Sequence, residues 1–410
     1  MAGPDVAESL RMLRGGTVDC ITEDELRDKL ASGRPLRVKL GLDPTASDIH
    51  LGSAVVLRKL RQFQDRGHVA VLIIGDFTAR VGDPSGRTAT RPALSGEEID
   101  AHATTYVEQA QRILLPDKEH LEVRYNSEWL AAMDMADVLR LTSRVTVARL
   151  LERNDFSARY EAGEPISFME LLYPLLQGWD SVMIDADVEL GGTDQLFNIL
   201  MGRHLQEQAG KDAQVVLTMP LLVGTGGGEK MSKSLGNHVG ITEPPADQFG
   251  KLMRIPDEVM TQYFELTTGW DPDRVAEIAG EIERAKPADR AGLKRQLART
   301  VVDLYHGEGA GAAAEAEFDR VFKDHAAPSE VQEYAIPAEE LRDGRIEIAR
   351  LLTLAGLAAS NREGRRKIQE GGVYLDDERV TDPSLEVAPG DVDGRLLRLG
   401  RRSWARIRAH

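Results

Sequence analysis

The chain has 410 residues, 42% apolar and 29% charged, enough to bury a sizeable core and to build two or three domains. Its longest apolar runs, such as Val69 to Ile74, fall far short of the roughly 20 residues of a membrane span, and its first residues lack a basic start and an apolar stretch, so no membrane association is expected and the cytoplasm is the expected compartment. The net charge of −16 argues against nucleic acid only superficially, while the single cysteine, Cys20, excludes an internal disulfide or a thiolate metal cluster.

In chain order, Leu36 to Gly41 has the pattern of a short apolar strand, followed by a Gly/Asp/Pro turn and a helical pattern from Gly52 to Gln64. A second strand, Val69 to Ile74, runs into Gly75-Asp-Phe-Thr78 and the loop Val81-Gly-Asp-Pro-Ser-Gly86. Loops at the carboxyl ends of parallel strands line the ligand crevice of open sheets. A helix over Ser95 to Leu115, a strand over Leu121 to Tyr125 and helices from Met133 onward continue the alternation, so the expected fold class is α/β with a doubly wound parallel sheet. Four regions are expected: 1–240, with a mobile Gly-rich loop at 224–236; a helical domain at 241–330; a Pro- and acid-containing linker at 331–345; and a small α+β module at 346–410. That module holds 12 Lys and Arg against 10 Asp and Glu, net +2, which leaves −18 on residues 1–345. Only the tail leans towards phosphate, and by little.

Four groups of residues carry chemistry. Asp43-Pro-Thr-Ala-Ser-Asp-Ile-His-Leu-Gly-Ser53 joins the first strand to its helix, placing His50, Gly52 and backbone N–H groups where a helix N-terminus favours anionic phosphate. The His-Leu-Gly triplet alone is equally an ordinary turn with a capping Asp. Glu229-Lys-Met-Ser-Lys-Ser-Leu-Gly236 follows three consecutive glycines, so Lys230 and Lys233 can close over a triphosphate and stabilise charge on the leaving group. In Tyr173-Pro-Leu-Leu-Gln-Gly-Trp-Asp180, Tyr173, Gln177 and Asp180 fall at i, i+4 and i+7 on one helix face, and three polar groups in an apolar segment need partners or a shared pocket. Near the C-terminus, Arg362, Arg365, Arg366 and Lys367 cluster on one predicted helix before Gly371-Gly372, and Arg401, Arg402, Arg406 and Arg408 extend the basic character.

The first two groups, about 180 residues apart, resemble the two signatures of class I aminoacyl-tRNA synthetases. Tyr173 to Asp180, followed by Val188-Glu-Leu-Gly-Gly-Thr-Asp-Gln-Leu-Phe-Asn198, closely resembles the tyrosyl-tRNA synthetases, and residues 349–374 resemble a small RNA-binding domain shared with a ribosomal protein. The resemblance covers about Lys39 to Val373. It implies a nucleotide-binding sheet, a helical anticodon-binding domain and a C-terminal RNA-binding domain, with L-tyrosine, ATP and tRNA(Tyr) as substrates, Mg2+ accompanying ATP, no tightly bound cofactor or dedicated metal site, and a homodimer. By the same resemblance Thr45, His50, Lys230 and Lys233 act in catalysis. Asp43, His50, Gly52, Ser53, Gly192, Asp194, Met231 and Lys233 surround ATP. Lys39, Thr78, Asp83, Asn126, Tyr173, Gln177, Asp180 and Gln195 surround tyrosine, with Asp180 accepting the phenol hydrogen. Arg362, Arg365, Arg366 and Lys367 meet tRNA.

Two positions depart from the family pattern. Ser53 stands where the first signature has its second histidine, and a hydroxyl neither carries charge nor reaches as far as an imidazole, so weaker or slower use of ATP is expected. Lys39 stands where many relatives have a tyrosine. A copy specialised for regulation or inhibitor resistance, and a tRNA-independent nucleotidyltransferase, remain alternatives at this level.

Overall fold

The computed structural model describes residues 6–44, 48–85, 95–323, 327, 331–376, 378–400 and 403–409. Thr45, Arg401 and Arg402 lie outside the described residues. Two compact units are present, Met1–Glu308 and Gly309–His410.

The first unit is organised on a six-stranded sheet of β1 (Asp19–Ile21), β2 (Arg37–Leu42), β3 (Val69–Ile74), β4 (Leu121–Tyr125), β5 (Val188–Gly192) and β6 (Val215–Met219), in the order β1-β6-β5-β2-β3-β4. Every pairing is parallel except β1 with β6. Parallel strands require crossovers, and helices on both faces bury the strands twice over. That is why β3 reads Val-Ala-Val-Leu-Ile-Ile, with all but its first residue buried. From β2 the sheet continues one way through β3 and β4 and the other way through β5 and β6, so a switch point lies between β2 and β5. A crevice is expected outside the carboxyl ends of those strands.

Helix starts are written locally: Thr22, Ser95 and Ser167 each close a capping box with a glutamate three residues on. The helix Phe168–Met183 packs on the helix Leu196–Gln208 at small residues, since a Cβ on Gly178 would stand 3.0 Å from the Gly202 backbone nitrogen. Beyond Gly240 the first unit is helical, with Pro245–Leu252, Met260–Thr267, Pro272–Arg284 and Pro287–His306, while Ala310–Phe322 belongs to the second unit.

The second unit contains β7 (Glu333–Ala335), β8 (Ile346–Glu347), β9 (Val373–Leu375), β10 (Glu378–Arg379), β11 (Glu386–Val387), β12 (Leu396–Leu399) and β13 (Ser403–Arg408). β8 pairs with β11, and the other five form one sheet in the order β10-β9-β12-β13-β7. The helices Ile348–Leu354 and Asn361–Gln369 cover one face, where Leu351, Leu352, Ile368, Val373, Leu397 and Ile407 are buried together. The stretch 331–345, expected as a linker, is built into this unit: β7 pairs with β13, and Ile336 joins the core. Its proline and acidic residues suggest a spacer, but burial of Ile336 and Tyr334 outweighs local composition.

Candidate active site

A cavity of about 400 Å³ opens at the switch point, bounded by the carboxyl ends of β2, β3 and β5, the N-terminus of the helix Leu51–Gln64 and the segment Lys230–Ser234. It gathers Asp43, His50, Gly52, Ser53, Thr78, Asp83, Asn126, Tyr173, Gln177, Asp180, Gly192, Asp194, Gln195, Lys230, Met231 and Lys233. These residues span about 190 positions of sequence and meet because the carboxyl ends of β2, β3, β4 and β5 converge there.

One wall is a continuous hydrogen-bonded chain. The Tyr173 hydroxyl donates to Asp43 Oδ2 at 2.8 Å, and the Thr78 hydroxyl donates to Asp43 Oδ1 at 2.8 Å. Asn126 Nδ2 donates to Thr78 Oγ1 at 3.0 Å and to Asp180 Oδ2 at 3.3 Å, while Trp129 Nε1 donates to Asp180 Oδ1 at 2.8 Å. Gly75 makes the chain possible, because a Cβ there would stand 1.9 Å from Asp43 Oδ1. Burial pushes Asp43 up to about 7, against the pull of the Thr78 bond and with a further push from Asp83. Burial likewise pushes Asp180 up to about 7, opposed by the charge of Lys39 and the bonds from Trp129 and Asn126. The Tyr173 phenol is held well above its ordinary range by burial and by Asp43.

Lys39 does not line the cavity. Its side chain is fully buried behind the wall, with Nζ 2.9 Å from Glu189 Oε1 and donating to the Gln177 carbonyl at 2.9 Å and to Ser181 Oγ at 2.8 Å. The expectation that Lys39 touches tyrosine is therefore corrected. In β2 alternate residues face opposite sides of the sheet, and Lys39 faces the side covered by the helix Phe168–Met183, where it pins Gln177 and Ser181 to β5. A buried ammonium needs such a cage, because an uncompensated charge there costs several kcal/mol or more.

A second set sits beside the Asp83 loop. Gln195 Nε2 donates to Asp83 Oδ2 at 2.7 Å, Asn198 Nδ2 to Gln195 Oε1 at 3.0 Å, and the buried Arg153 to Asn198 Oδ1 at 3.0 Å and Ser85 Oγ at 2.7 Å. The third set is the signature segments. Lys230 pairs with Asp194 at 3.1 Å and Lys233 with Asp48 at 3.3 Å, both partly exposed and available to exchange these carboxylates for phosphate. Leu51 N donates to Val239 O at 2.8 Å and Ile241 N to Ile49 O at 3.0 Å, so the chain following the lysine segment is bonded directly to the His-Leu-Gly turn. His50 is the N-cap of its helix, and burial, reinforced by His238 and Lys233, holds its imidazole down at about 4. It is neutral at physiological pH.

Residues 31–323 match the family described as tRNA synthetases class I (W and Y), and residues 330–405 match the tyrosine–tRNA ligase SYY-like C-terminal domain. The chain is 48% identical to a tyrosine–tRNA ligase of Moorella thermoacetica over 407 residues, covering 98% of this chain and 96% of that one. It is also 48% identical to one of Deinococcus radiodurans over 404 residues, with 98% and 96% covered. The chain belongs to the tyrosyl-tRNA synthetases. Solved synthetases share the fold: one from Aspergillus nidulans mitochondria has a TM-score of 0.64 at 22% identity, covering 78% of this chain and 94% of that one. Another, from Archaeoglobus fulgidus and complexed with L-tyrosine, has a TM-score of 0.62 at 23% identity, covering 76% and 99%.

Several residues of this synthetase site were not singled out in the sequence. Trp129 was legible in principle, since a buried indole N–H requires an acceptor. The pairings Lys39–Glu189, Ser181–Glu189 and Arg153–Asn198 had no local signal, because each joins residues on different elements.

Proposed function

We propose that this chain is a tyrosine–tRNA ligase that joins L-tyrosine to ATP as tyrosyl-adenylate, releasing pyrophosphate, and then transfers tyrosine to the 3′ end of tRNA(Tyr). The observation that carries the reading is the position of Asp180. A carboxylate at the inner end of the cavity, fixed by two donors from the β4 side, is matched to a phenol hydroxyl. Phenylalanine would bury that carboxylate without giving it the further donor that the phenol hydroxyl supplies.

In this reading the tyrosine ring lies along Gly41 and Gln177 with its hydroxyl towards Asp180, and its ammonium group meets the Asp83, Gln195 and Tyr173 side. The tyrosine carboxylate then attacks the α-phosphate in line, and no covalent enzyme intermediate is needed. Lys230 and Lys233 leave Asp194 and Asp48 for the phosphates, stabilising charge as pyrophosphate departs. Neutral His50 and the hydroxyl of Ser53 sit at the helix N-terminus as hydrogen-bond donors to phosphate. Mg2+ bound with the triphosphate would offset part of its charge, held by phosphate oxygens and water rather than by a dedicated all-protein cage.

The helices of 241–330 are assigned to the anticodon arm and residues 346–410 to further RNA contact. A homodimer is supported by exposed apolar side chains at Met135, Leu139, Val147 and Phe168. Among the described residues no helix is long and apolar enough to cross a membrane, and we assign the enzyme to the cytoplasm.

The test is exchange of labelled pyrophosphate into ATP with a panel of amino acids. Exchange with tyrosine, lost in Asp180→Ala while ATP binding persists, is the expected result. No exchange with any amino acid would overturn the reading.

A further inference from the structure

The C-terminal sheet has two unlike faces. Val373, Leu375, Leu397, Ala405 and Ile407 point to the helices and are buried. Strand residues alternate between faces, so their neighbours Tyr374, Arg398, Trp404, Arg406 and Arg408 point the other way, joined by Arg379 on β10. Three of these form a row across adjacent strands. Arg398 is directly opposite Tyr374 on β9 and Trp404 on β13, with its guanidinium 4.1 Å and 5.0 Å from the two ring centroids.

The row is rich in donors and lacks acceptors. The Arg398 side chain makes no ion pair or hydrogen bond among the described residues, and both Arg398 Nε and Trp404 Nε1 are buried without an acceptor. A buried N–H left unpaired is costly, so a small movement of Arg398 or Trp404 towards an acceptor supplied by a bound molecule would be favoured there. Among the described residues the Arg406 side chain donates to the Gly394 carbonyl, with the charges of Glu333 and Asp376 near it, Arg379 donates to the Gly371 carbonyl, and Arg408 pairs with Glu333 and lies near Asp393. A shallow cavity of about 490 Å³ opens beside Trp404, between Ser403, Tyr334 and the chain at Leu354–Leu357.

The helix Asn361–Gln369 is different. Arg365 pairs with Glu347 at 2.6 Å, Lys367 with Glu370 at 2.9 Å, and Arg366 lies 3.6 Å from Glu363 and 3.7 Å from Glu370. Of its four cations only Arg362 has no partner among the described residues, so the basic run in the sequence is largely neutralised in the fold.

We propose that the outer face of the C-terminal sheet, centred on Tyr374, Arg398 and Trp404, is an RNA-binding platform on which an unpaired base of tRNA stacks, with Arg406 and Arg408 holding the flanking phosphates. Aromatic faces, unpaired N–H donors and guanidinium groups together complement a planar, acceptor-rich anion, and an unstacked nucleotide is that ligand. The proposal rests on the reading of residues 346–410 as RNA-binding and adds which face does the work.

The experiment uses the full chain and an unmodified tRNA(Tyr) transcript, measuring the KM for tRNA in tyrosine charging, with tyrosine-dependent pyrophosphate exchange as the RNA-free control. Trp404→Leu keeps an apolar side chain but removes the π-face, and should raise the tRNA KM roughly 5- to 150-fold, the range for loss of one stacked base. Trp404→Phe should stay within a few-fold of the parent. Arg406→Gln with Arg408→Gln, which removes surface charge without touching the core, should weaken binding and lower the salt slope by about two. An unchanged tRNA KM in the double arginine variant overturns the proposal whether or not the Trp404 variants fold. If deletion of 346–410 still weakens charging in that case, the RNA-binding reading stands and a different face carries it. A double arginine variant that changes self-association but not RNA affinity would assign the face to a second copy of the chain, and also overturns the proposal.

Discussion

The cavity of the first unit and the outer sheet face of the second both present polar groups, but they treat them in opposite ways. In the cavity wall nearly every donor has an acceptor: Tyr173, Thr78, Asn126 and Trp129 are spent on Asp43 and Asp180, and Lys39 on Glu189. On the sheet face Arg398 Nε and Trp404 Nε1 are unpaired among the described residues, and the Arg406 side chain hydrogen-bonds there only to a carbonyl. A small substrate is distinguished by one hydroxyl, so its site must be fixed before binding, and cross-bonded buried groups fix it. A polyanion brings its own acceptors, so its face needs surplus donors rather than rigidity.

The largest effect that would sharpen this contrast is at Lys39. Lys39→Met leaves Glu189 buried without its cation and should cost roughly 3–5 kcal/mol in urea denaturation, whereas Lys39→Met with Glu189→Leu should recover most of that. A cost below about 1 kcal/mol for the single change would break the claim that this wall is a pinned ion-pair structure. Next, Lys230→Ala or Lys233→Ala should lower the adenylation kcat by about 10²- to 10³-fold with little change in tyrosine KM, the signature of groups that act on developing charge. An equal rise in KM and an unchanged kcat would instead mark them as ground-state binders.

The pH dependence separates the cavity from the sheet face further. Asp43 and Asp180, raised to about 7, keep protons in the folded chain that the unfolded chain releases near 4, so their contribution to stability falls as pH rises from 4 to 7. His50, held down at about 4 from 6.5, acts in the opposite sense, and its contribution is lost as pH falls through that window. Tyrosine use depends on ionised Asp180, so kcat/KM for tyrosine in exchange should climb through about pH 7 in the parent and lose that limb in Asp180→Asn. The smallest effect is expected at the exposed pairs of the C-terminal helix, where Arg365→Ala should shift stability by no more than about 1 kcal/mol and leave the tRNA KM near the parent value. A large rise in tRNA KM there would return RNA contact to the helix and weaken the contrast drawn above.

Ser53 adds a different test. It lines the cavity beside His50. Ser53→His should lower the KM for ATP if the hydroxyl is the weaker phosphate donor, and measured exchange rates decide it.

Much of the architecture was legible without coordinates, for local reasons. The unbroken apolar run at Val69 to Ile74 can only be a doubly buried strand or a buried helix piece, and its length and flanking glycines select the strand. The spacing of Tyr173, Gln177 and Asp180 requires one helix face whatever surrounds it, and the two signature segments are informative because backbone N–H groups and lysines serve phosphate in any context. What only the tertiary structure decided is pairing. The periodicity of β2 does not say that Lys39 faces Glu189 rather than substrate, because that depends on which strand lies next to β2. The run of cations at 362–367 does not reveal that Glu347 and Glu370 neutralise it, and Trp404 and Tyr374 become neighbours of Arg398 only through strand register. Local preferences come from a residue and its few neighbours in sequence, whereas the charge a group feels in a fold is set by residues brought from elsewhere in the chain.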